Sequence, residues 1–466
     1  MKIIGIICAL SLCIGPAWSV HVNPRGSGEV LLIPYYTVNN GLNTLVTVTN
    51  TTAETKAVKV TFREGLNGHP VLTYNVYMAA FDMWSMAVVP SESDVAGQVG
   101  QVTARQLSGD NSCAPFLDKS GTEFTTEHIT DGPDDLARLR EGYIEVIDMA
   151  MSNGPPIGWA DLGGSGRPGN CEQIEQSWDV QSGIWGRGDP LRYFVPASGG
   201  LKAEVNLVDV ANGLNFSYPA VALDGVFAED VFFHSHPMDG SLSLDVAANE
   251  WVQQSGGQIP QTRVFDSGID AVSAALMADQ LLSTYALDEF ILGQTEVVYT
   301  QPTRRFYQNE EAVLPPFQAD PMQTACDVAT VSASDYGGSL VQTTFYDREA
   351  QADVAVQAIC GSVMVHQLVL PGTTGHPTIT ASNNRIVVTT PAENLTPSGH
   401  FSTTFPQAVP LQATDPETSE IVSISGLPVI GLVLTRFTNQ NAQPGLLAQY
   451  GGAQSLLSIK HEETAP

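Results

Sequence analysis

Residues 29–62 read EVLLIPYYTVNNGLNTLVTVTNTTAETKAVKVTF, and this stretch decides the fold class. It holds three β-rich runs, at 29–38, 43–49 and 56–62. Polar and apolar residues alternate in NTLVTVT. In KAVKVTF, Val58 and Val60 point opposite to Lys59, because successive strand side chains face opposite ways. Asn39-Asn40-Gly41 between the first two runs is a turn signal, since Asn and Gly tolerate positive φ. Runs at 71–80 and 83–89 continue the pattern, with Asn67-Gly68 as a further turn. Strands spaced by about 8–12 residues between Asn, Gly and Thr clusters indicate an antiparallel sandwich.

Outward from this stretch the chain changes character. Residues 107–135 are polar and read as loop. Pro133-Asp134-Asp135-Leu136 resembles a short helix start, because Pro and acids suit a first turn. Residues 141–151 return to strand, and 152–200 are rich in Gly, Pro and Trp. A hairpin is expected over 201–223, turning at Asn212-Gly213. Ile269, Val272, Leu276, Leu281 and Tyr285 follow helical spacing, which predicts a helix over 269–287. Strand character resumes at 296–301. Residues 309–322 are acidic and Pro-rich, as a linker would be. Further β runs lie at 326–331, 339–346, 355–370, 378–390 and 421–437.

The expected fold is therefore mainly β. It comprises two Ig-like antiparallel β-sandwich domains, a long acidic loop-rich insertion and one or two short helices. The first sandwich spans 20–308, with the insertion at about 107–200 and the helix near 269–287. The linker covers 309–322, the second sandwich 323–460, and a flexible tail 461–466.

Charge and address narrow the function. The 466 residues carry 49 acids against 20 bases, a net charge of −29. Residues 101–350 hold 36 of those acids and 12 of the bases. This balance excludes general nucleic-acid binding, which needs Lys and Arg at phosphates. It also argues against an anionic membrane surface. At the start, Lys2 precedes an apolar run at 3–14, and Pro16-Ala17-Trp18-Ser19 resembles a cleavage site. A signal peptide over 1–19 is expected, and with it a periplasmic, outer-surface or extracellular address. Leu10-Ser11-Leu12-Cys13 resembles a lipobox, but Leu12 stands where a small residue is required. No later run of about 18 apolar residues predicts a transmembrane helix. Four cysteines remain after cleavage, and two disulfides are expected. The pairings Cys113–Cys171 and Cys326–Cys360 keep each bridge local.

The sharpest chemical signal is His234-Ser235-His236-Pro237, followed by Asp239 and Asp245. Two His at alternate strand positions share a face and could share a metal. The motif resembles the H-S-H-P signature of JAMM-type zinc hydrolases. There an Asp ligand follows the second His after ten residues, with a Ser three positions before the Asp. Here eight residues separate His236 from Asp245, and position 242 is Leu. The family also sets the motif between a strand and a helix, whereas hairpin sequence precedes it here. A loop carrying two surface His is the competing reading.

Other signals are weaker. Gly164-Ser165-Gly166-Arg167-Pro168-Gly169 matches a dinucleotide fingerprint without the strand and helix that give it meaning. Arg187-Gly188-Asp189 is a tripeptide that arises often by chance. Asp131, Asp134 and Asp135 could offer oxygens to calcium, but lack the loop spacing. Tyr35, Tyr36, Tyr74, Tyr77, Phe81 and Trp84 could form a glycan platform, although sandwich core suits apolar strands better.

Several long blocks together resemble a family of exported proteins of Gram-negative bacteria, largely gammaproteobacteria. They include GEVLLIPYYTVN from Gly28, REGYIEVIDMA from Arg140 and LVDVANGLNFSYPAVALD from Leu207. TEVVYTQPTRRFY from Thr295 and GLPVIGLVLTRF from Gly426 continue it. The resemblance implies export and shared architecture, and brings no activity or site residue. The leading expectation is an exported, non-enzymatic envelope or extracellular protein with a structural, assembly or adhesion role. It would have no cofactor and would partner other envelope proteins or itself. One alternative is a secreted metal-dependent hydrolase using His234 and His236 with Asp245 or Asp239, and hence zinc. The other is a carbohydrate- or calcium-binding module.

Overall fold

The computed structural model describes residues 19–131, 135–253, 261–308, 314–317, 338–373, 378–390, 396–406, 408–443, 446–460 and 462–464. The expected signal peptide, except Ser19, lies outside them. So do Cys326, Asp134 and most of the expected linker.

The protein is mainly β, with several antiparallel sheets and, among the described residues, no barrel. The first sheet runs His21–Val22, Val221–Asp224, Val30–Thr37, Glu141–Ser152, Lys56–Glu64, Pro70–Met78. The second runs Leu214–Pro219, Leu201–Asp209, Leu42–Asn50, Met83–Glu92, Val102–Leu107, Thr122–Glu123. These two pack face to face. Leu31, Ile33, Val58, Val60, Ile144 and Val146 meet Val46, Val48, Trp84, Val205 and Phe216 in one core. Leu42–Asn50 keeps the alternation expected of a strand with one face towards solvent. In Val30–Thr37 and Lys56–Glu64 every residue is buried, so the first sheet is covered on both faces.

The third sheet runs Ala352–Cys360, Gly338–Asp347, Ser398–Thr404, Gln280–Ala286, Leu457–Ile459. The fourth runs Arg385–Thr389, Val363–Val369, Gln294–Thr300, Ile430–Gln443, Leu446–Ser455. One face of the fourth sheet, with Val297, Tyr299, Met364 and Val433, packs on Leu281, Tyr285, Val341 and Phe345 of the third. Its other face, with Val298, Val365, Leu432 and Leu434, joins the core of the first two sheets. Pro34 fixes one seam of this junction. It has no N–H for the ladder, and the register slips between Ile33 and Tyr36. The Pro34 carbonyl accepts from Thr300 Oγ1 at 2.5 Å instead.

Several expectations are corrected. The helix predicted over 269–287 is Gly268–Leu276 only, capped by Ser267. Gln280–Ala286 is a strand burying Leu281, Ser283 and Tyr285 in alternation. Leu281 and Tyr285 lie four apart, a spacing that periods of 2 and 3.6 both satisfy, and strand pairing decides between them. Gln280–Ala286 and Gln294–Thr300, assigned by sequence to the first sandwich, hydrogen-bond into the third and fourth sheets. The strand expected at 141–151 is present as Glu141–Ser152, and it lies inside the first sheet rather than in an insertion apart from it. Within the described residues, the expected short helix near 133 is the 3-10 turn Leu136–Arg140, capped by Asp135. Leu411–Thr414 and Ile421–Ile424 leave the second sandwich for a fifth sheet with Glu250–Gln253 and Gln261–Val264. Glu462–Thr464, expected as free tail, pairs there with Ile421–Ile424.

Candidate functional site

The outer face of the first sheet is roofed by residues from 153–195 and 226–244. The roof explains why its polar strand positions are buried. Lys59, Thr61 and Arg63 point away from the main core, as the alternation requires, yet none reaches solvent. Burying an unpaired charge costs several kcal/mol, so the two cations must find partners.

They find them on distant segments. Lys59 Nζ donates to the carbonyls of His236 at 2.8 Å and Asp239 at 2.9 Å. Burial pushes the Lys59 ammonium down to about 7. Arg63 Nε stands 2.7 Å from Glu145 Oε2, and the Ser243 hydroxyl donates to the same oxygen at 2.7 Å. The Arg305 guanidinium is 3.9 Å from Glu145 and also donates to Ser243 Oγ. Nearby, at the end of the sheet, Lys56 Nζ lies 2.7 Å from Asp148 and 2.7 Å from Ser198 Oγ.

The H-S-H-P segment lies in this roof. His234 Nδ1 is 2.6 Å from the Pro190 carbonyl, and Nε2 is 2.7 Å from Tyr77 Oη. A carbonyl can only accept, so Nδ1 carries the proton and Nε2 accepts from the tyrosine. Trp178 Nε1 donates to the same Tyr77 oxygen at 3.1 Å. Phe194, Trp178 and Trp185 surround the ring at centroid distances of 3.9, 4.7 and 4.7 Å. Burial holds the imidazole neutral, with its pKa pushed down to about 3. Both ring nitrogens are thus spent within the fold.

His236 sits at the rim. Its ring stacks on Phe116 at 5.4 Å and meets the Trp178 edge at 5.4 Å. Its Nδ1 accepts from the Met238 amide at 3.3 Å. The Asp239 carboxylate accepts from the Ser241 amide at 2.9 Å. Asp245 lies exposed in the turn Leu244–Val246, where its charge faces Arg63 and Arg305. Among the described residues, no group of three or more His, Cys, Asp or Glu is arranged to hold a metal. The motif brings the two histidines under one roof without converging their nitrogens.

A disulfide between Cys113 and Cys171, as expected from spacing, ties the 107–121 loop to the short helix Cys171–Gln176. Cys360 is disulfide-bonded as well. Phe116, three residues from Cys113, is 47 % exposed and has φ +63°, a strained value for a bulky residue.

The weaker motifs resolve plainly. Arg187 donates to the Gln181 carbonyl, and Asp189 caps the Leu191 amide. Gly163–Ser165 is a 3-10 turn, with no strand leading into it. Asp131 is held by Arg138, His69 and Asn67. Of the six aromatics, Phe81 alone is exposed, and the other five are core. Sequence reasoning missed Lys59, Arg63 and Glu145 as buried charges, with the half-buried Arg305 beside them. The one available signal was Lys59 and Arg63 on alternate positions of a strand with apolar neighbours.

Among the described residues, no helix is long and apolar enough to cross a membrane. No family model, curated protein or solved structure matches the chain.

Proposed function

We propose that this is an exported, non-enzymatic envelope or extracellular protein, built from Ig-like sandwiches and acting in structure, assembly or adhesion. The observation that carries it is the disulfide-stitched roof over the first sheet. A Cys113–Cys171 bridge suits an oxidising compartment. The chemistry-bearing residues beneath it are engaged in holding the roof: His234 to Tyr77, Lys59 to two carbonyls, Arg63 to Glu145. An acidic, loop-rich exterior suits a face that repels its own kind and stays solvated. Its partners would be other envelope proteins or further copies of itself. Fractionation of the native organism with non-reducing gels tests this. Oxidised protein in the periplasm, at the outer surface or in the medium supports it. A reduced cytoplasmic protein contradicts it.

A second reading is carbohydrate binding, favoured by the exposed Phe116 stacked on His236 beside the Glu175 carboxylate, which accepts from the Phe116 amide. An aromatic face with a neighbouring acceptor suits a sugar ring. Glycan-array binding lost in Phe116→Ala would support it, and a flat array would remove it.

A further inference from the structure

A cleft of about 670 Å³ opens where the His21–Val22 strand, the fifth sheet and the Leu446–Ser455 strand meet. Its wall is apolar, with Val22, Trp251, Leu276, Leu281, Ile430 and Leu456. Ser455, Ser458 and Lys460 also line it. None of its 17 lining residues is acidic, in a chain with 49 acids. Another cleft, of about 520 Å³ beside Arg436, includes Glu289 and Glu296 in its lining.

Lys460 is placed unusually for a lysine. It is part-buried, and its Nζ donates to the Ala275 carbonyl at the end of the helix Gly268–Leu276. Among the described residues, no carboxylate stands within ion-pair distance of it. An ammonium has three donors, and the Ala275 carbonyl takes one of them. The cleft therefore offers a long apolar wall, two serines and one cation with no carboxylate partner among the described residues. Its size is that of a small-molecule site.

We propose that this cleft binds an apolar carboxylic acid, its tail along Trp251 and Leu456 and its carboxylate on Lys460. The chemistry selects against an amine, which Lys460 repels, and against a neutral alcohol, which leaves the cation unpaired. The assignment is independent of the envelope role proposed above.

The test is calorimetry on the full mature protein with laurate, dodecanol and dodecylammonium. Laurate should bind saturably, one per chain, and more tightly than either analogue. Lys460→Met should weaken laurate by about tenfold or more, the worth of one charged hydrogen bond. Lys460→Arg should retain it, and matching melting curves would show that both variants are folded. A 12-bromododecanoate probe should quench tryptophan fluorescence, and Trp251→Phe should remove that quenching. The proposal is overturned if dodecanol binds as tightly as laurate, if Lys460→Met changes nothing, or if laurate does not bind. Binding to phosphatidylglycerol vesicles in place of free laurate would also overturn it, by assigning the face to a membrane.

Discussion

The outer face of the first sheet and the core between the third and fourth sheets bury comparable strands by opposite means. Between the third and fourth sheets, Val297, Tyr299, Val341, Phe345, Phe401 and Val433 interlock as ordinary apolar packing. Across the first sheet's outer face, Lys59, Arg63 and Glu145 are buried under chain segments from 80 or more residues away. Apolar packing tolerates imperfect neighbours. Buried charges demand specific ones. The difference predicts that the first region is sensitive to charge, redox state and pH, and the second chiefly to volume.

The largest effect should come from Glu145→Ala, which leaves the buried Arg63 beside the half-buried Arg305 without their carboxylate. A loss of about 3–5 kcal/mol is expected by chemical denaturation. Val341→Ala in the other core should cost about 2 kcal/mol. Equal costs would break the comparison. Next comes reduction of Cys113–Cys171, which closes a loop with a sequence separation of 58. About 2–4 kcal/mol should be lost, with hydrogen exchange rising first in 153–195 and 226–244. Uniform exchange across both regions would count against a separate roof.

His234→Phe keeps an aromatic ring but removes the acceptor of the Tyr77 hydroxyl proton and the donor to the Pro190 carbonyl, so about 1–3 kcal/mol should be lost. It should also change the acid response. Above pH 6.5 the ring is neutral whether folded or unfolded. As pH falls below 6.5 only the unfolded state takes the proton, so stability drops until about pH 3, where the folded ring also protonates. His366, pushed down to about 4 by burial, acts in the same direction from the second region. The variant should therefore lose part of the acid slope and keep the rest. An unchanged slope would exclude His234 as a buried neutral ring. The smallest effect is expected from Val354→Lys on the open edge strand Ala352–Cys360, within about 0.5 kcal/mol for a side chain 44 % exposed. A change in sedimentation there would mean that another copy covers this edge.

Much of the fold was legible. The runs at 29–38, 43–49 and 56–62 became strands because local alternation and turn residues agreed with the tertiary pairing. The Cys113–Cys171 bridge followed from cysteine positions. What was hidden depended on partners far along the chain. KAVKVTF reads as half-exposed because nothing local says that His236 and Asp239 will supply carbonyls to Lys59. Leu281 and Tyr285 fit a helix until Ser398–Thr404 pairs beside them. For the site, sequence could locate His234 and His236 but not the directions of their nitrogens. That direction separates a metal ligand from a pin within the roof.

The most direct test of the account is a long-range proton–nitrogen NMR titration of the histidine rings, with and without zinc. The account predicts that His234 stays the neutral Nδ1–H tautomer down to the pH at which the protein unfolds, with no shift on adding zinc. Titration of His234 near 6.5, or a zinc-induced shift of its ring nitrogens, would contradict it.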